Sequence, residues 1–153
     1  MEVFPLRKDK DWKQFSEESD DFATKLIKKW KFDHLIAIER CGPARDGHFY
    51  SMRGRDLSHM CGLTEKLFSK GILRTAVGDG GNELGMGNVE ELVKKHIPNG
   101  EKIACCVPSD NLIICGVSNW GGYALSAALF LLAGKDSSQV LLFSENLIYF
   151  LVI

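Results

Sequence analysis

Apolar residues in the first thirty positions recur at intervals of three and four. Trp12 and Phe15 are followed by Phe22, Leu26, Ile27 and Trp30, set among Lys, Glu and Asp. That spacing predicts an amphipathic helix covering an apolar surface. The period then changes. Leu35-Ile36-Ala37-Ile38 is a short apolar run, followed by a polar loop from Glu39 to Asp56 rich in Gly and Arg. Met60, Leu63, Leu67 and Phe68 mark a second helix, with Ser58 as N-cap and Gly71 as stop. A strand from Ile72 to Val77 leads into a glycine-rich loop, Gly78 to Gly87. The next helix has Asn88 as cap, Glu91 at the capping-box position, and Val89, Leu92 and Val93 as its apolar face. Glu90 and Glu91 at its start and Lys94, Lys95 and His96 at its end suit the helix dipole, and Pro98-Asn99-Gly100 closes it. Ile103 to Val107 and Leu112 to Val117 read as strands, and Tyr123 to Ala133 as a helix.

Continuously apolar strands alternating with helices predict a three-layer α/β fold, a mostly parallel sheet with helices on both faces. The chain divides into a helical cover over 1–33, an α/β core over 34–134 and an apolar tail over 135–153, all within one domain. The stretch from Asn111 to Gly134 has no charged residue and is long enough to cross a bilayer. Ser118, Asn119, Gly121 and Gly122 interrupt its middle, so a buried strand, a polar turn and a buried helix fit it better, and no membrane partner is expected. The tail carries Val140 to Phe143 and Leu147 to Ile153. An apolar terminus must pair with the sheet or with another chain, which makes self-association through the tail an expectation.

Composition narrows the function. With 153 residues, 45% of them hydrophobic and 25% charged, the chain can build an independent core. Nineteen basic and twenty acidic residues leave a net charge of −1, which argues against a nucleic-acid partner. The five cysteines, Cys41, Cys61, Cys105, Cys106 and Cys115, are odd in number and irregularly spaced. That pattern points to a reducing compartment rather than a secreted disulfide framework. Met1 to Lys13 carries Asp9 and Asp11 and lacks the apolar core of a signal peptide.

The candidate chemistry follows the strands. Glu39 and Arg40 come after the first, Asp79 after the second, and Ser118-Asn119 after the last. In an open parallel sheet, ligands bind outside the carboxyl ends of the strands, so these turns can converge on one rim. The loop Gly78-Asp79-Gly80-Gly81-Asn82-Glu83-Leu84-Gly85-Met86-Gly87 has five glycines in ten residues. It is not a dinucleotide fingerprint, because Glu83 stands at the third glycine position, and no Gly-Lys-Ser/Thr follows to make a phosphate loop. Asp79 and Glu83 would repel a phosphate and suit a cation, either a divalent metal or a substrate ammonium. The plainer alternative is a tight turn whose acids cap the helix behind it. Arg40, Arg45, Arg53 and Arg55 lie within sixteen residues and can clamp carboxylates, although such arginines are usually solvated. Ser118-Asn119 at a strand-to-helix turn suits a carboxylate or a developing oxyanion, or simple N-capping. His48 and His59 are further candidate bases.

Three motifs occur in order: Ile38-Glu39-Arg40 with Asp46-Gly47 and Met52-Arg53-Gly54; Gly78 to Val89; and Val117 to Leu125. Together, from about Leu35 to about Ala133, they resemble the carboxy-terminal domain of the D-glutamate cyclase family. The resemblance implies a lyase that converts D-glutamate to 5-oxo-D-proline with loss of water, located in the mitochondrial matrix for animal members. It further implies Asp79, Glu83 and Glu39 as catalytic acids and bases. Arg40, Arg53, Asp46, Asn82, Ser118 and Asn119 become substrate-binding residues, and Asp79 and Glu83 ligands for Mg²⁺ or Mn²⁺ if a metal takes part. The segment after Gly134 departs from the family pattern, with Cys41 a smaller departure, where proline is expected. The alternative function is a non-catalytic domain, part of a larger protein, that binds a small anion or amino acid.

Overall fold

In a computed structural model, residues 4–6 and 11–134 are described. Helix α1 spans Trp12–Trp30. Asp11 caps it by accepting from the Gln14 N–H at 2.9 Å, and Lys31 ends it in the left-handed region at φ 50°. Its buried face is Phe15, Ser19, Ala23 and Leu26, whereas Trp12 and Trp30 remain exposed at its ends. Phe15 packs with Phe49, Cys61 and Leu63 in a small core of its own.

The sheet has three strands in the order β1 (His34–Ile38), β2 (Leu73–Gly78) and β3 (Asn111–Ile114), all parallel. Ala37, Ala76 and Leu112 lie side by side on one face, and Ile38, Val77 and Ile113 on the other. The first face is covered by Phe68 of α2 (Glu65–Phe68), by Leu84 and Met86 of the glycine loop, and by Val93 of α3 (Glu90–His96). The second face carries α5 (Ser118–Leu132). Gly121 is what allows that approach. A Cβ there would stand 2.5 Å from the Cys115 sulfur and 2.6 Å from Val77 Cγ1. Helices on both faces of a parallel sheet make the three-layer α/β fold expected from the alternation of elements.

Several local readings differ from the structure. Ile103 closes a one-turn helix α4 (Gly100–Ile103), and 104–107 runs on as an extended segment outside the sheet. Its apolar run is buried by packing under the glycine loop, not by pairing with a strand. Asn88 does not cap α3. Its side chain accepts from the Ser109 N–H at 2.9 Å and donates to the Ser109 carbonyl at 3.0 Å, binding the loop to the segment before β3. Ser58 lies ahead of α2, and its hydroxyl accepts from the Phe49 N–H at 3.0 Å. Helix α5 begins at Ser118, five residues before its predicted start, because Gly121 and Gly122 are buried against the sheet and not part of a free turn. No helix among the described residues is long and apolar enough to cross a membrane. The predicted tail over 135–153 lies outside the described residues.

Candidate functional site

At the carboxyl end of β1 the chain makes an unusual turn. Glu39 adopts φ 54°, a left-handed conformation that is uncommon for a residue with a side chain. Its N–H still bonds the Val77 carbonyl at 3.1 Å, one step beyond the strand. The following residues clip onto the glycine loop. The Leu84 N–H donates to the Arg40 carbonyl at 2.7 Å and the Gly42 N–H to the Asn82 carbonyl at 2.8 Å, with Cys41 and Glu83 paired between them. This short antiparallel clip is what brings the Glu39 turn beside Glu83.

Glu83 is buried, 3% exposed, and each of its carboxylate oxygens accepts a backbone N–H, from Gly80 at 2.9 Å and Gly81 at 2.7 Å. Burial pushes its carboxyl above the ordinary range. The two N–H donors pull against that rise, and the neighbouring charge of Glu39 adds to it. Asp79, one residue past β2, is half-buried, and its Oδ2 accepts the Ser118 N–H at 2.9 Å. The start of α5 therefore points at Asp79. Oxygens from Glu39, Asp79 and Glu83 all lie within 4.8 Å of one another. Three acids from two strand ends and a loop thus form a graded cluster, with Glu39 exposed, Asp79 half-buried and Glu83 buried.

Most of the other residues singled out in the sequence are engaged by protein partners. Arg40 turns its guanidinium away, donating from Nε to Thr64 Oγ1 at 2.9 Å and from Nη2 to the Gly62 carbonyl at 2.7 Å. The Asn82 amide donates to the Tyr50 carbonyl at 2.7 Å. Asp46 accepts from the Tyr50 hydroxyl at 2.6 Å and the His48 N–H at 2.9 Å. Ser118 is fully buried, its N–H held by Asp79 and its Oγ without a partner. Asn119 is half-buried at the start of α5, and Arg53 is exposed on a turn whose Met52 thioether lies over Gly80. His48 lies on the surface with Nδ1 2.8 Å from Asp56 Oδ2, while His59 is exposed.

One buried acid was not singled out in the sequence. Glu65, at the start of α2, has a buried Oε2 with no hydrogen-bond partner, and burial lifts its carboxyl to about 7. A glutamate in the first turn of an apolar helix reads as a dipole-matched surface charge, so nothing in the local pattern marks it. An open cavity of about 530 Å³, lined by Phe68, Gly71, Leu73, Arg74 and Asp110, lies at the other end of β2. Arg74 there is engaged by Asp110, at 3.0 Å and 3.1 Å, and by the Phe68 carbonyl.

Residues 2–148 match the family described as D-glutamate cyclase-like, C-terminal. The chain is also similar to a curated human protein, D-glutamate cyclase, mitochondrial, with 52% identity over 107 residues. That alignment covers 67% of this chain and 17% of the human protein, so the chain spans about a sixth of that relative's length.

Proposed function

Because this chain belongs to the D-glutamate cyclase-like, C-terminal family, we propose that it carries the cation-binding and proton-transfer groups of a lyase that closes D-glutamate to 5-oxo-D-proline. The observation that carries the reading is the convergence of Glu39, Asp79 and Glu83 at the carboxyl end of a parallel sheet. In that position, open parallel sheets bind ligands.

The substrate brings one ammonium and two carboxylates. Its amine must lose a proton before it attacks the γ-carboxyl carbon, and one γ-oxygen must leave as water. Asp79 and Glu39 hold the ammonium, Asp79 being fixed by the Ser118 N–H. Glu83 takes the proton from the ammonium and returns it to the departing oxygen. A carboxyl raised by burial is better matched to that exchange near neutral pH than an ordinary one. The nitrogen's second proton leaves with the same oxygen, so one water is lost for each ring closed. Holding the curled chain in place adds the advantage of an intramolecular reaction. Arg53 and Asn119, on the turns bordering the loop, are the remaining candidates for the substrate carboxylates. Arg40 and Asn82 support the site through the loops they join, and Ser118 through Asp79.

A second reading rests on the 4.8 Å limit on the acid oxygens. Oxygens that close fit the coordination sphere of one hard divalent ion, such as Mg²⁺ or Mn²⁺. Bound there, such an ion would supply Lewis-acid neutralisation of the γ-carboxylate. The name of the human relative supports a mitochondrial location.

The test incubates the chain with D-glutamate, with and without Mn²⁺, and separates the products by chiral chromatography. Appearance of 5-oxo-D-proline supports the lyase reading, and dependence on Mn²⁺ selects the metal-bound form. Binding of D-glutamate without product would replace the lyase by the non-catalytic binding domain.

A further inference from the structure

We propose that Cys41 and Cys61 form a reversible thiol-oxidation site, closing to a disulfide when the protein meets a peroxide. Twenty residues apart in the sequence, they lie side by side because Arg40 joins their segments. Its Nη2 holds the Gly62 carbonyl at 2.7 Å and its Nε the Thr64 hydroxyl at 2.9 Å. The residue before one cysteine is thus tied to the residue after the other. Cys41 packs against the cluster of Phe15, Phe49, Cys61 and Leu63, with its Sγ 3.5 Å from the Tyr50 carbonyl. Cys41 is half-buried, which gives a small oxidant a route to a pair whose other member is buried.

The environment suits the chemistry. Cys41 and the nearby Arg40 guanidinium favour the Cys61 thiolate against the opposing effect of burial, and the thiolate is the form that reacts with peroxide. In the first step the Cys61 sulfur attacks one peroxide oxygen and the O–O bond breaks. The leaving hydroxide takes up the Cys61 proton as water, and Cys61 is left as a sulfenic acid. The Cys41 sulfur then displaces that hydroxyl, the S–O bond breaks, and a second water leaves with the Cys41 proton. Two thiols are oxidised and one peroxide is reduced to two waters. A disulfide of this kind, formed transiently in a reducing compartment, is a redox response and not a structural bridge.

Cys41 lies in the clip beside Glu83, but the test reads thiol chemistry alone and does not depend on the proposed lyase reaction. The full chain is treated with a modest excess of hydrogen peroxide, alkylated, and digested without reductant. Trypsin cuts after Arg40, Arg45 and Arg55, so the two cysteines leave on separate peptides. Mass spectrometry should find these peptides joined, two hydrogens lighter than their sum, and separated again by dithiothreitol. In Cys41→Ser, which has no resolving thiol, Cys61 should instead be trapped by a sulfenic-acid reagent. Joined peptides containing Cys105, Cys106 or Cys115, over-oxidised but unlinked Cys41 and Cys61, or both thiols still open to alkylation would each overturn the proposal.

Discussion

Replacing Glu65 by Gln tests the electrostatics of a buried carboxyl at the start of α2 with a single neutral change. Burial holds the Glu65 carboxyl at about 7 instead of the ordinary 4.5, with only partial relief from its own backbone N–H and then from Lys66 and Arg40. A folded-state pKa raised above the unfolded one means that stability is complete below the unfolded value and is lost as the pH rises through the folded value. Two and a half pH units at 1.36 kcal/mol each make ionising Glu65 cost the folded chain on the order of 3 kcal/mol. Gln cannot ionise, so it escapes this cost, although its buried amide still lacks a partner and loses about 1 kcal/mol at every pH. Urea unfolding followed by the fluorescence of Trp12, Trp30 and Trp120 measures the difference. Between about pH 5 and about pH 8 the variant should gain on the parent by about 3 kcal/mol. A difference that stays constant over that range, or that favours the parent more at high pH, would refute the argument.

Other consequences can be checked in the same preparation. Arg40→Ala removes two hydrogen bonds from the 62–64 segment and should cost about 2 kcal/mol in urea unfolding. If Arg40 supports the fold and does not clamp substrate, the folded variant should keep its affinity for D-glutamate in calorimetry. Gly121→Ala places a methyl group against Cys115 and Val77 and should lower stability by about 1–3 kcal/mol as α5 is displaced. If Glu83 accepts the ammonium proton, as proposed, kcat/KM should rise with pH through a pKa above the ordinary carboxylate range. A rate that falls over the same range would assign Glu83 the opposite role.

The sequence made the layers legible because their signals are local. Phe15, Leu26 and the polar residues between them mark α1, and the runs ending at Ile38 and Val77 mark β1 and β2 within one residue. The segment after Gly100 misled because burial alone does not distinguish a strand from an extended stretch lying under a loop. Asn88 misled for a related reason, since an amide that can cap a helix can also grip Ser109. In the candidate site, the three strand-end turns announced Glu39, Asp79 and Ser118. The approach of Glu39 to Glu83 depends on the Arg40–Leu84 and Gly42–Asn82 clip, which pairs residues some forty positions apart. The loss of Arg40 to Thr64 and Gly62, and the packing of Cys41 against the cluster that holds Cys61, depend on the same kind of distant contact.

Glu39, Asp79 and Glu83 are proposed as a seat for the positive charge of an amino-acid substrate. Calorimetric titration with D-glutamate and with D-2-hydroxyglutarate, which carries a hydroxyl in place of the ammonium, tests it most directly. D-glutamate alone should give heat, and that heat should be abolished in Asp79→Asn, whose amide oxygen can still accept the Ser118 N–H and keep the fold. Equal binding of the two compounds, or undiminished D-glutamate binding by the variant, would contradict it.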